Sequence, residues 1–490
     1  MVKPFYLGGS VIEQRNLMLP GNPRYQPKSM IPVWGYDNLF QAVALVEIAT
    51  LETLHLYGLI SDEEIALLTP EVKQNLLAIT TSQVDKMERE VTKHDIRAWV
   101  RLAQEVLPEP LRRWIHVPLT SHDALDTGRA LQFKETHRIL HDELHRVVEQ
   151  FIALIERTKH IGQIGRTHGQ HAIPITVGFW LAGILHRIIT CARRMDTAVE
   201  NLVGKISGPV GAYNAQVTIG LFAHRNPGQT TFEQDVLYRL DLRPARISTQ
   251  IVPPESLATY LSACVLLSAA FGQFGRDCRH LMRSEVGEIF EAKESGQVGS
   301  STMAHKRNPI NFENLEGTWL KTRAEYGKVL DTLVSDHQRD LVGSSLMRDF
   351  PIIPINLAQQ MGTLLRKDKQ GRTFLERLGI DELRCRENLM QSANLLVAEP
   401  LYILLQMNDY PGDAHALIND VVVPRAQQDN MTLLDALRYE GSGDASIECA
   451  LERLNDDELL ALTDPIEHYI GRAFEKSKEI IRFAQQYLKT

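Results

Sequence analysis

The sequence predicts an all-α protein organised around a central bundle of long helices, and three observations carry that expectation. From 126 to about 160 there is no proline, while Leu131, Ile139, Leu140, Leu144, Val147, Val148, Phe151, Ile152 and Ile155 recur at steps of three and four residues. That spacing gathers apolar side chains on one face of a helix. Comparable patterns run over 177–203, 256–290 and 312–334, each near or beyond the ~25 residues at which helices are expected to pack side by side. The segments between them, 165–174, 204–214, 243–255 and 296–309, are short and rich in proline, glycine and threonine. Polar, reactive residues are thereby placed at the ends of rigid rods.

In chain order, a helix-rich head precedes Pro118, the rods follow, and a helical tail begins near Gly379, marked by Glu399-Pro400 and the Pro411-Gly412 turn. Three domains are expected: an N-terminal helical domain over 1–118, a central long-helix bundle over 119–378 and a C-terminal helical domain over 379–490. A chain of 490 residues, 44% hydrophobic, can bury cores of that number and size. Neither an internal repeat nor a low-complexity segment is visible.

Charge excludes some partners. The 53 basic and 61 acidic side chains give a net −8, so no global basic field attracts nucleic acid or an anionic membrane surface, and any anion must be held by a local cluster. Five scattered cysteines, Cys191, Cys264, Cys278, Cys385 and Cys449, form no CxxC pair. They read as reduced thiols in the cytoplasm, with no zinc site. The first thirty residues, broken by Gly8-Gly9, Pro20, Gly21, Pro23 and Pro27, lack the apolar core of a signal peptide. No apolar run is expected to reach membrane-spanning length.

Chemistry concentrates in the loops. The run Gly299-Ser300-Ser301-Thr302-Met303-Ala304-His305-Lys306-Arg307-Asn308-Pro309 crowds hydroxyls, cations and an amide between helical segments, a composition suited to enclosing a reactive anion or to an ordinary polar connection. His168, in Gly165-Arg166-Thr167-His168-Gly169-Gln170, is a candidate acid or base near neutral pH, or a ring that merely satisfies loop carbonyls. In 115–123, Ser121 or Asp123 reads equally well as a helix cap. Thr92 or Asp95 has the same ambiguity, with His94 as an exposed ring.

The 299–309 run resembles the G-S-S-x-M-P-x-K-x-N-P signature of the fumarase/aspartase lyase superfamily. From about Arg24 to Ala473 the chain resembles one family within it, the adenylosuccinate lyases, through Arg24-Tyr25, Thr92-x-His94-Asp95, His116-x-x-Leu119-Thr120-Ser121, Gly165 to Gln170, Lys205-Ile206-Ser207-Gly208, Thr249-Gln250 and Gln338-Arg339-Asp340-Leu341, in that order. The resemblance implies a three-domain fumarase-like fold and a carbon-nitrogen lyase that eliminates fumarate from adenylosuccinate and from succinylaminoimidazole carboxamide ribotide. It implies Ser300 as base and His168 as acid. Thr120, Ser121, Thr167, Lys306 and Asn308 would meet the succinyl carboxylates, with Met303 in the same loop and Gln250 near the reacting carbons. Arg24, Tyr25, Arg339, Ser344 and Arg348 would hold the nucleotide phosphate, and His94, Asp95 and His116 would support binding. It also implies a homotetramer with sites shared between subunits, and neither metal nor cofactor.

Four positions depart from the family pattern. Ala304 stands where the signature has proline, which frees a backbone angle in the loop. Pro118 stands where glycine is frequent, Pro253-Pro254-Glu255-Ser256 follows Thr249-Gln250 in place of the usual residues, and Trp180 replaces a common lysine. These departures concern the purine side most. Two other readings stay open: a related enzyme, such as a carboxymuconate cycloisomerase or a nitrosuccinate- or argininosuccinate-type lyase, and a non-catalytic helical scaffold.

Overall fold

A computed structural model of the chain describes residues 19–223, 230–292, 303 and 306–490. The expected rods are present as helices Ser121–Thr158, Val177–Val199, Glu255–Leu281 and Ile310–Asp331. Among the described residues, strand is confined to three two-stranded pieces: β1 (Gly162–Thr167) with β2 (Gln170–Thr176), antiparallel; β3 (Val203–Gly204) with β4 (Arg243–Pro244), parallel; and β5 (Ile289–Glu291) with β6 (Leu378–Ile380), antiparallel. The fold is all-α.

Contacts divide the chain into two compact units: Met1–Leu144, Thr190–Gly272 and Gly317–Gly362 in the first, and His145–Ile189, Gln273–Glu316 and Thr363–Thr490 in the second. Each long helix contributes one part to each unit. In the first, the helix Gln41–Leu56 is buried along most of its length, Glu47 included. Phe133 packs on Trp34 and Tyr260, with ring centroids 5.1 and 6.0 Å away. The Trp34 indole nitrogen donates to Thr136 Oγ1 at 2.7 Å, so the ring is buried without stranding its polar atom.

The second unit is built on an aromatic chain, Phe151 to Phe274 to Phe312 to Phe374, with successive centroids 5.2, 6.3 and 5.6 Å apart. Gly275 permits a close helix approach there: an added Cβ would lie 2.6 Å from the Phe312 carbonyl oxygen and 2.8 Å from Leu315 Cβ. A separate apolar cluster fills the tail, from Val397 through Leu433 and Leu437 to Leu462.

One expectation is corrected. By length and composition alone Glu255–Leu281 could cross a membrane. The same helix presents Tyr260, Leu261, Leu267, Phe271 and Phe274 to the interior as fully buried side chains, and 61% of its most apolar window is buried. Those are the properties of a core helix, whose apolar surface is covered by protein.

Candidate active site

In the first unit, a hydrogen-bonded frame joins loops distant in sequence. Thr120 and Ser121 sit at the start of the first long helix, where the Thr120 amide donates to Asp123 Oδ2 at 2.9 Å. Asp123 is fully buried and paired with the fully buried Lys205. It also accepts from the Ser207 and Gly208 amides at 3.2 Å. Such pairing and amide donation are what make a buried carboxylate tenable. Ser207 Oγ lies 2.7 Å from Ser248 Oγ. Two residues on, the Gln250 amide donates to the Gln338 carbonyl at 3.4 Å. Next in sequence, Arg339 donates through Nη2 to Ser344 Oγ at 2.7 Å. Ser344 lies in the short helix Val342–Met347, whose C-cap is Arg348. The four-residue step places Ser344 and Arg348 on one face of that turn. Thr120, Ser121, Gln250, Arg339, Ser344 and Arg348 are thus tied into one frame.

His116 stands beside it. Its backbone is left-handed, φ 67°; its amide donates to Glu47 Oε2 at 2.9 Å and its Nδ1 lies 2.7 Å from Glu47 Oε1. Burial opposes the protonated ring, yet the hydrogen bond and charge of Glu47, with Asp123 behind it, hold the His116 pKa above its ordinary value. The Nδ1 contact leaves Nε2 as the ring's free face. His122 makes a similar pair, with Nδ1 3.1 Å from Asp126 Oδ1. His94 Nδ1 lies 3.1 Å from Asp95 Oδ1, and Thr92 Oγ1 donates to the His94 carbonyl at 2.8 Å. Neither Thr92 nor Asp95 serves as N-cap of the helix Asp95–Val106; that position is His94, which makes no side-chain cap. Arg24 and Tyr25 are exposed, the guanidinium 5.4 Å from its neighbour's ring centroid.

In the second unit, Thr167 and His168 sit at a hairpin tip. Thr167 pairs with Gln170, and His168 and Gly169 between them have φ 52° and 77°, the two left-handed residues of a tight hairpin turn. The His168 ring is exposed. The hairpin is anchored below its tip: Glu288, fully buried, accepts from Arg166 Nη2 at 2.6 Å and Nη1 at 3.1 Å, from Gln163 Nε2 at 2.8 Å and from Asn388 Nδ2 at 2.8 Å. His171 Nδ1 lies 2.8 Å from Ser392 Oγ, and burial, then the Arg166 charge, lower its pKa.

Of the signature run, Met303 and Lys306 are exposed and Asn308 half-buried, with the Lys306 amide donating to the Met303 carbonyl at 3.1 Å. Ser300 and Ala304 lie outside the described residues. On the near side of the run, Glu291 accepts from the Asn311 and Phe312 amides beyond it at 2.8 and 3.2 Å and from Asn311 Nδ2 at 2.6 Å. One carboxylate therefore ties the residues before the run to the helix after it. Trp180, at the position commonly lysine, donates to Asp277 Oδ2 at 2.9 Å and stacks on Phe274, an anchoring role within the unit. Glu399 accepts from the Tyr469 hydroxyl at 3.2 Å, in keeping with a structural part. Among the described residues no cluster of three or more His, Cys, Asp or Glu side chains could hold a metal.

A family model described as lyase matches residues 43–322. The adenylosuccinate lyase of Archaeoglobus fulgidus is 31% identical over 475 residues, covering 96% of this chain and 99% of the relative. The chain belongs to the adenylosuccinate lyase family. The enzyme of that name from Pyrococcus horikoshii is 32% identical, covering 95% of this chain and 98% of its own. Among solved structures, a fumarate lyase from Mesorhizobium sp. BNC1 superposes with TM-score 0.76 at 21% identity, covering 94% and 98% of the two chains. A 3-carboxy-cis,cis-muconate lactonizing enzyme from Pseudomonas putida gives 0.75 at 22% with the same coverage. These two establish the fumarase-like fold.

Glu47, Asp123, Lys205, Glu288 and Glu291 were not assigned to the site from sequence. For Glu47 a signal existed, a lone carboxylate inside the apolar run 42–51, and Lys205 lies in a quoted motif. Glu288 and Glu291, in a stretch with several other acids, carried none.

Proposed function

We propose that this chain eliminates fumarate from adenylosuccinate, giving AMP, and from succinylaminoimidazole carboxamide ribotide, in purine biosynthesis. The observation that carries the reading is the frame in the first unit, which joins the Thr120-Ser121 segment, through the Thr120 backbone amide, to the Arg339, Ser344 and Arg348 group by way of Asp123, Ser207 and Gln250. Hydroxyls and an amide at one end suit a dicarboxylate, and guanidinium groups at the other suit a phosphate.

The chemistry follows from what elimination requires. A base takes the proton beside a carboxylate, and the electrons form a dianionic aci-carboxylate, which needs donors and cations already aimed at it. Lys306 and Asn308 are groups of that kind. As the electrons return and the carbon-nitrogen bond breaks, the leaving amine must receive a proton. His168, an exposed imidazole on an anchored turn, is assigned that role, and Ser300 the role of base. A serine hydroxyl acts so only when desolvated and surrounded by positive charge, so closure of the 299–309 run is part of the reading.

The same reading assigns Arg24 and Tyr25 to the phosphate, His94, Asp95 and His116 to the nucleotide, and Thr167 and Met303 to the succinyl end. It includes three successive domains, a homotetramer whose sites draw on different subunits, a cytoplasmic location and no cofactor. Full-length likeness to adenylosuccinate lyases favours it over the related cycloisomerase and nitrosuccinate or argininosuccinate reactions. Purified protein incubated with adenylosuccinate should release fumarate and AMP in equal amounts; no fumarate at any substrate concentration would exclude the assignment.

A further inference from the structure

We propose that Arg129 is a further phosphate-binding residue, a third guanidinium that acts with Arg339 and Arg348 on the phosphate monoester of the substrate, an inference that rests on the chain acting on a nucleotide. Arg129 lies on the first long helix, a little over two turns beyond Ser121. Its Nη1 is 3.8 Å from Met347 Sδ, the residue beside Arg348. Arg129 and Arg348 line one mostly apolar cavity of about 360 Å³ with Trp34, Phe40 and Leu125. One turn before Arg348, Ser344 receives Arg339 Nη2 at 2.7 Å.

The charges do not balance. Asp126, the acid that faces Arg129, already accepts from His122 Nδ1 at 3.1 Å on one oxygen and from the Val252 amide at 3.1 Å on the other. Among the described residues no carboxylate forms an ion pair with Arg129, Arg339 or Arg348. Burial pulls the Arg129 guanidinium below its usual pKa, and the Arg339 and Arg348 charges push the same way against Asp126. Three gathered guanidinium groups sharing one occupied carboxylate carry an electrostatic cost that a doubly charged oxyanion removes, while it gains planar, paired hydrogen bonds. A methionine would fill the same volume without that cost, so packing does not explain an arginine here.

The test compares wild type and Arg129→Met in full-length protein, on adenylosuccinate and on succinyladenosine, the same molecule without its phosphate. The KM for adenylosuccinate should rise roughly ten- to a hundred-fold, the worth of one charge-assisted contact, with kcat changed by less than about three-fold. Succinyladenosine turnover should stay within about two-fold. Inhibition by inorganic phosphate should weaken in parallel, and Arg129→Lys should restore part of the affinity, since lysine keeps the charge but loses the fork. Equal weakening toward both substrates, or unchanged phosphate inhibition, would overturn the proposal. Should the methionine variant not fold, the lysine variant carries the same comparison. If wild type releases no fumarate from adenylosuccinate, the assigned reaction fails. Calorimetric titration of wild type and variant with inorganic phosphate then decides Arg129 by itself: weaker binding in the variant supports it and equal binding refutes it.

Discussion

His168 and His116 differ in what fixes each ring. His168 is exposed at a tight turn whose φ of 52° is one that asparagine tolerates well. His168→Asn should therefore leave the thermal unfolding midpoint near wild type while lowering kcat by roughly a hundred- to ten-thousand-fold, the range for a lost general acid. Circular dichroism and fumarate release measure the two separately. His116 is governed by Glu47. Its pKa is raised in the folded state, so the stabilisation from the pair is fully present below the unfolded value near 6.5 and is lost as pH rises through the folded value. The stability advantage of wild type over Glu47→Gln, read from urea unfolding at several pH values, should accordingly be largest in mild acid and shrink toward alkaline pH; an advantage that grows with pH would contradict the pairing. Residue types marked the 299–309 run and His168 as candidates, and the family resemblance singled out Ser300, Lys306 and Asn308 within that run. Glu47, Asp123 and Glu288 were harder to find because their partners lie 69, 82 and 122 positions away in sequence, where local patterns carry no information.

Helical periodicity located all four rods, since a long apolar stripe survives any local irregularity. Their ends were less legible: the patterns over 177–203 and 256–290 stop in the structure at Val199 and Leu281. The hairpin at 162–176 was read only as a polar turn. Its first strand alternates poorly in burial, its register slips between Ile164 and Arg166, and Pro174 interrupts the second strand, so the two-residue period of a strand is masked. What holds it is Glu288. Breaking a buried ion pair by removing one partner typically costs about 3–5 kcal/mol, so Glu288→Ala should lower the unfolding free energy by about that much and reduce turnover by misplacing His168. Close helix contact makes a second expectation. Gly275→Ala should destabilise by about 1–3 kcal/mol, because its methyl group would meet the Phe312 carbonyl and Leu315. Denaturant titration checks both.

For the molecule as a whole, fold class and family were legible from rod length and motif order, and the full-length relatives agree with both. The grouping of contacts was not, because each rod contributes to both compact units and no local signal marks where one core yields to the next. The assigned groups are divided accordingly. Thr120, Ser121, Gln250, Arg339, Ser344 and Arg348 belong to the first unit, and Thr167, His168, Lys306 and Asn308 to the second. In the proposed tetramer, sites draw these groups from different subunits, and sedimentation should show four chains. The most direct test mixes two variants that are each inactive, Thr120→Ala with Ser121→Ala in one chain and His168→Asn in the other, dissociates and reassembles them, and measures fumarate release from adenylosuccinate. Shared sites predict recovery of roughly a quarter of the wild-type rate, the share of sites receiving both intact parts. A mixture that forms mixed tetramers yet releases no fumarate would contradict the account.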